Sequence, residues 1–329
     1  MMSWVKEKTY RTIAQLPTST IEDTIVITGS PRSGTTWLLE LLRALPSRKA
    51  MNEPLLHDKK ARTDHGFTWR TFISPEAPAP KQRDYLKNIL RGRLGVCPAW
   101  HFQATSRTGK LIEHVTNHRL VVKLCRINRM LHWFAQQFEV RGPVLIVRHP
   151  CAVVASMLKH GAWDREKLHW NEAQKIAVPE SGLPTSLQST FGSILEQVET
   201  LPEALAAKWS LDHYVPLIHH AREEHPWILV PYERLVTQGQ NELRRITDAL
   251  NVEQTNEMRV RLEKPSSSVK DFSRDAEQQL SKWRRRLSSR QIDSILSITD
   301  QVGISKFYTK KLEPNYEALN DYQVPSSRW

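Results

Sequence analysis

Apolar residues fall into two rhythms along the chain. Short runs rich in β-branched residues stand at Thr24-Ile25-Val26-Ile27-Thr28, Leu120-Val121-Val122-Lys123-Leu124, Pro143-Val144-Leu145-Ile146-Val147 and Trp227-Ile228-Leu229-Val230. Runs of this length and residue type predict strands. Between and around them, spacing of the helical kind predicts helices near 35–45, 81–93, 128–138, 151–159, 195–222, 239–250 and 288–301. Residues 50–118 are otherwise mixed and rich in proline, histidine and aromatic side chains. Residues 161–192 are the least regular part, and 264–275 read as a loop.

Strands alternating with helices imply an α/β fold: a central parallel sheet flanked by helices on both faces. The chain has no internal repeat, no low-complexity tract and no composition break that marks a linker. The expectation is one domain over residues 1–329. No run approaches the apolar length that spans a bilayer, and the N-terminal residues carry no signal-peptide core, so no membrane span is expected. The three cysteines, Cys97, Cys125 and Cys151, fit neither a metal knuckle nor a redox pair, and the expectation is a reducing, cytoplasmic setting. A formal charge of +12 favours anionic partners without choosing among them.

The charge gains meaning at Gly29-Ser30-Pro31-Arg32-Ser33-Gly34-Thr35-Thr36, between a predicted strand and a predicted helix. The amides at a helix start converge on an anion, and the helix dipole favours negative charge there. Arg32 adds a planar charged fork, and Ser33, Thr35 and Thr36 add hydroxyl groups. The spacing is close to that of the nucleoside-triphosphatase P-loop, but Thr35 stands where that motif needs lysine. No predicted strand ends in a Walker-B aspartate: one is followed by Arg148 and another by Pro231. Such a loop suits an anionic nucleotide held without a metal, and a divergent kinase lacks the parts it requires.

At Pro31-Arg32-Ser33-Gly34-Thr35-Thr36-Trp37 the chain resembles the phosphosulfate loop of sulfotransferases that use 3′-phosphoadenosine 5′-phosphosulfate (PAPS). Arginine in place of the cytosolic branch's lysine is more similar to the carbohydrate branch. The resemblance implies that residues 31–36, with Arg32, Ser33, Gly34, Thr35 and Thr36, hold the 5′-phosphosulfate. It also implies that Trp37 stacks on adenine; core packing is the other reading of Trp37. A second match runs from Arg148 to Ser156, whose counterparts hold the 3′-phosphate. Tyr232, in Pro231-Tyr232-Glu233-Arg234-Leu235, resembles the tyrosine of a YEDL segment that contacts adenine; a packed strand-end tyrosine is the alternative. Lys282-Trp283 and the loop Pro265-Ser266-Ser267-Ser268 loosely match the region that closes over the nucleotide, although the cytosolic RKG sequence is absent.

Sulfuryl transfer requires a base for the acceptor proton and cations for the leaving oxygen. The cytosolic branch's histidine is missing at Lys123-Leu124-Cys125. Asn52-Glu53-Pro54 resembles the segment that carries a glutamate base in the carbohydrate and tyrosylprotein branches. Glu53 is therefore the candidate base, with His57 in reserve, and Lys123 the candidate helper of the leaving group. His149 reads as a neighbour of the phosphate. No metal is expected. The resemblance puts the nucleotide side at 24–54, 120–159 and 227–300, and the acceptor side at 55–118 and 160–195. Trp69, Trp100, Trp163 and Trp170 in the irregular segments suit a carbohydrate or other small-molecule acceptor, and equally suit packing. No nucleic-acid partner is expected. The competing readings are a nucleic-acid-binding protein that uses clusters such as Lys282-Trp283-Arg284-Arg285-Arg286, and an inactive protein that binds PAPS. The oligomeric state is not legible.

Overall fold

The structure, a computed structural model, describes residues 12, 16–57, 63–67, 71–93, 100–102, 104–161, 185–219, 227–269 and 271–320. Six strands form one sheet in the order β3-β2-β4-β1-β5-β6. They are β1 (Ile25–Gly29), β2 (Arg48–Asn52), β3 (Trp100–His101), β4 (Arg119–Lys123), β5 (Arg141–Val147) and β6 (Ile228–Pro231). All neighbouring pairs are parallel except β2–β3. The four strands legible as apolar runs are present. The parallel sheet thus carries an antiparallel edge that the pattern did not signal, because a two-residue strand has no periodicity to read.

The central strands bury both faces. Ile25 and Ile27 of β1, Val121 of β4, Val144 and Ile146 of β5, and Ile228 and Val230 of β6 join one apolar cluster. The residues between them, Val26, Leu120, Val122, Leu145, Val147 and Leu229, join the other. Period-two alternation splits each run between two layers, so every position must be apolar. The first cluster is capped by α1 (Thr35–Arg43), and by later helices through Leu243, Ile246, Met258 and Leu262. The second is covered by α2 (Pro80–Leu90), α3 (Leu131–Gln137), α4 (Pro150–His160), α5 (Leu201–Tyr214) and α6 (Ser289–Gln301).

The single helix expected over 195–222 is two helices. Thr185–Glu196 ends, and α5 begins afresh at Leu201 behind a capping box: Thr200 Oγ1 accepts from the Glu203 amide, and Glu203 Oε2 accepts from the Thr200 amide. Thr-x-x-Glu is a helix-start signal, and here it overrides a continuous helical pattern. The segments expected to be irregular also hold helices, Arg107–Thr116 among them, capped where Ser106 Oγ accepts from the Gly109 amide. Among the described residues, no helix is long and apolar enough to cross a membrane.

Candidate active site

β1 lies between β4 and β5: the connection after β1 runs to β2 on one side, and the one after β4 crosses to β5 on the other. Open α/β sheets place ligand crevices at the carboxyl ends of strands where the order reverses in this way. The loops after β1, β4 and β5 meet there, and they line a cavity of about 1100 Å³.

The loop after β1 is shaped by backbone conformation. Gly34 caps α1 in the left-handed region at φ 102°, and a Cβ there would lie 2.6 Å from the Tyr232 ring. Glycine alone fits that position. Gly34 contributes no side-chain cap, so the first-turn amides of α1 have no side-chain acceptor from it. Arg32 also takes a positive φ, 73°, and Glu53 takes 53°. Non-glycine residues avoid this region, and strain of this kind collects at functional sites. Both side chains line the cavity. Ser33 behaves differently: its hydroxyl and its amide both turn back to the Ser30 carbonyl, at 2.6 and 3.1 Å, closing the turn. Its side chain is buried and is spent on the loop's shape.

The two distant motifs meet. Arg32 Nε donates to Ser156 Oγ at 3.1 Å, and Arg148 donates to the Arg32 carbonyl at 3.1 Å. The Arg148 guanidinium lies over the Tyr232 ring, 4.1 Å from its centre, and Trp37 packs edge-on to Tyr232 at 5.9 Å. Trp37 is 7% exposed and belongs to the apolar layer, yet its ring lines the cavity. Tyr232 Oη accepts from Gln279 Nε2 at 3.0 Å, and Gln279 Oε1 in turn accepts from Lys282 at 2.7 Å. Burial, and then the positive field of Arg148, hold the Arg32 guanidinium below its usual range. Among the described residues, neither Arg32 nor Arg148 forms an ion pair within 4.0 Å.

Glu53 follows β2, next to the end of β4, where its amide donates to the Lys123 carbonyl at 2.9 Å. The carboxylate is buried and accepts from the Cys125 amide and from Arg126 Nη1, each at 2.9 Å; Lys123 Nζ stands 3.9 Å away. Lys123 also donates to Thr36 Oγ1 at 3.0 Å, which ties Glu53 to the start of α1. The Cys125 thiol donates to Thr35 Oγ1 at 3.4 Å, and burial pushes it up to about 12. It is not a nucleophile at neutral pH.

Several sequence expectations land elsewhere. His57 is exposed and does not line the cavity. His149 is buried away from it, stacked on Trp283 at 4.7 Å. Its Nδ1 accepts from the Cys151 amide, so Nε2 carries the proton donated to the Thr309 carbonyl. Lys282 and Trp283 buttress the site from behind, whereas Ser266 and Ser268 line it. Of the segment 55–118, Leu56 lines the cavity among the described residues. Trp100 stacks on Phe102 outside it. Trp69, Trp163 and Trp170 lie outside the described residues. Sequence reasoning missed Arg126, Arg129, Lys208, Asp212 and Gln279, which all line the cavity. The only signal for Arg126 was the need of a buried Glu53 for a counter-charge. Among the described residues, no group of three His, Cys, Asp or Glu side chains is placed to hold a metal ion.

A family model described as the sulfotransferase family matches residues 24–257. No match was found among the curated proteins. Among solved structures, the chain is similar to the sulfotransferase domain from the curacin biosynthetic pathway, with 16% identity and a TM-score of 0.46 over 85% of this chain and 96% of that one. It is also similar to the sulfotransferase domain from the Synechococcus PCC 7002 olefin synthase, with 16% identity and a TM-score of 0.44 over 88% and 95%. A third is the sulfotransferase STF1 from Mycobacterium tuberculosis H37Rv, with 13% identity and a TM-score of 0.41 over 91% and 80%.

Proposed function

We propose that this chain, which belongs to the sulfotransferase family, moves a sulfuryl group from PAPS to an acceptor hydroxyl and releases adenosine 3′,5′-bisphosphate. The observation that carries the reading is the pair Arg32 and Arg148, held together at the mouth of a helix start without a carboxylate partner among the described residues. Two guanidinium groups in that position raise each other's energy, and an anion between them relieves it.

In this reading the α1 amides, Thr35, Thr36 and Arg32 hold the 5′-phosphosulfate. Arg148 and Ser156 hold the 3′-phosphate, and Trp37 and Tyr232 flank adenine. The family resemblance supplies those roles, and the contacts among the residues support them. Glu53 takes the acceptor proton. The acceptor oxygen forms a bond to sulfur as the bond from sulfur to the phosphate oxygen breaks. Lys123, between Thr36 and Glu53, meets the charge growing on that oxygen. The cations in this scheme are all side chains, so it calls for no metal.

Titration of the protein with adenosine 3′,5′-bisphosphate in a calorimeter tests the binding half. Release of the same bisphosphate from PAPS in the presence of a panel of hydroxyl acceptors tests the chemistry. Binding without turnover on any acceptor supports the inactive reading. Absence of binding, with steeply salt-dependent affinity for DNA or RNA, supports the nucleic-acid reading.

A further inference from the structure

Glu40 stands on α1 three residues beyond Trp37, off the apolar stripe that the helix turns to the sheet. From sequence such a glutamate reads as a solvated side chain. In the structure both of its carboxylate oxygens are engaged by one helix–loop junction. Oε1 accepts from the Ser267 amide at 3.1 Å and from the Ser267 hydroxyl, and Oε2 accepts from Arg261. Arg261 stands in the last turn of the helix Asn256–Leu262, and its Nη1 reaches past the helix end to the Lys264 and Pro265 carbonyls at 3.3 and 2.9 Å. The two side chains thus clamp residues 264–267 against α1.

Ser267 faces Glu40, while Ser266 and Ser268 on either side of it line the cavity. The Ser266 and Ser268 hydroxyls lie 3.0 Å apart, and a turn is closed from the Val269 amide to the Ser266 carbonyl at 2.9 Å. Glu40 itself is not in the cavity wall. At 18% and 21% side-chain exposure, the pair of Glu40 and Arg261 adds little to stability. Its consequence is geometric. A stretch without helix or strand is held in one shape, so a ligand meets it already ordered. We propose that Glu40 is a positioning residue of the nucleotide site: through Ser267 it holds the Ser266 and Ser268 hydroxyls on the Trp37 side of the cavity, where they hydrogen-bond the adenosine part of the donor. The proposal rests on the reading of this cavity as a PAPS site. A hydroxyl both donates and accepts, so either serine can serve an edge of the base or the ribose.

Calorimetry with adenosine 3′,5′-bisphosphate and with adenosine 5′-monophosphate tests the assignment. Both ligands carry adenosine, so Glu40→Ala should weaken both by the same factor, about ten-fold. Ser267→Pro should do the same: it removes both donors to Glu40, and the second place of a β-turn favours proline, so the turn stays closed. Ser266→Ala combined with Ser268→Ala should also cost about ten-fold. Adding Glu40→Ala to that pair should cost nothing more, because Glu40 acts only through those hydroxyls. Affinity within about two-fold of the parent in Glu40→Ala overturns the proposal. So does a total loss of about a hundred-fold in the triple variant, which would mean that Glu40 works by another route. A loss confined to the bisphosphate overturns it as well, since the serines would then serve the 3′-phosphate. If Glu40→Ala does not fold, judged by circular dichroism, Ser267→Pro takes its place in every comparison. Failure of the parent to bind either nucleotide overturns the donor reading and this proposal with it, whereas binding by the parent with silent variants overturns this proposal alone.

Discussion

Arg32 and Ser156 share a hydrogen bond of 3.1 Å although they belong to motifs on different strand–helix junctions. The contact joins the loop after β1 to the helix after β5, and Arg148 closes the triangle by donating to the Arg32 carbonyl. In the proposed reading Arg32 serves the 5′-phosphosulfate and Arg148 the 3′-phosphate of one ligand. The parts of the triangle can therefore be removed separately.

Arg148→Ala should weaken adenosine 3′,5′-bisphosphate by about 1.5–3 kcal/mol, the worth of a hydrogen bond to a charged group. The same change should leave adenosine 5′-monophosphate, which lacks the 3′-phosphate, nearly unaffected. Calorimetry on both ligands gives the comparison. Equal losses would take Arg148 out of the 3′-phosphate role and leave it as a support for Tyr232, over which it lies.

Glu53 is held by the Cys125 amide, Arg126 and Lys123, so its carboxylate is fixed in direction before any acceptor arrives. Glu53→Gln keeps the shape and the acceptor oxygen for the Cys125 amide but removes the proposed base. Turnover should fall by about 10²–10⁴-fold, the usual worth of general base catalysis. Affinity for the bisphosphate should hold within about two-fold. His57→Ala should leave turnover unchanged, because that side chain is exposed and lies off the cavity. A single-turnover assay with PAPS reads both variants, and a large His57 effect with a silent Glu53 would exchange their roles.

The four central strands and the glycine turn before α1 were legible because both are local. Unbroken β-branched runs such as Val144 to Val147 report burial on two faces, and Gly34 before Thr35 reports a helix start. What was hidden depends on distant partners. Lys208 and Asp212 form an i,i+4 pair that from sequence reads as a solvated helix face. Only the packing of α5 shows that the pair is buried beside Arg129. Ser33 was legible as a hydroxyl in the loop, but not as one already committed to the Ser30 carbonyl.

The left-handed Gly34 links the loop to Tyr232. Gly34→Ala forces a side chain into φ 102° and places its Cβ against the Tyr232 ring at 2.6 Å. Backbone strain of this kind costs on the order of 1–3 kcal/mol, before any displacement of the ring. Urea unfolding should show a lower midpoint at an unchanged slope. Affinity for the bisphosphate should fall too, because Tyr232 must move. A variant as stable as the parent would mean that the loop adapts at no cost.

The last prediction concerns acid. His149 and His213 are buried, and burial lowers each from its usual 6.5 to about 4. A histidine depressed in the folded state contributes stability that is present above 6.5 and is lost as pH falls toward 4. Glu233 works the other way. Buried where it accepts from the His149 amide at 2.8 Å and from Tyr308 Oη at 3.2 Å, it is raised from 4.5 to about 7, by burial. The folded state therefore holds a proton on Glu233 between 4.5 and 7 that the unfolded chain has released, and its contribution to stability declines as pH rises through that window. Burial lowers His114 to about 4 as well, so Glu233 offsets about one of the three histidine protons near pH 5.5. Glu233→Gln removes the offset. Stability of the variant should then rise more steeply between pH 5 and 6 than that of the parent, by about one proton, or about 1.4 kcal/mol per pH unit. Urea midpoints at pH 5, 5.5 and 6 for both proteins give the two slopes. Parallel lines would mean that Glu233 is already ionised in the folded protein across that range.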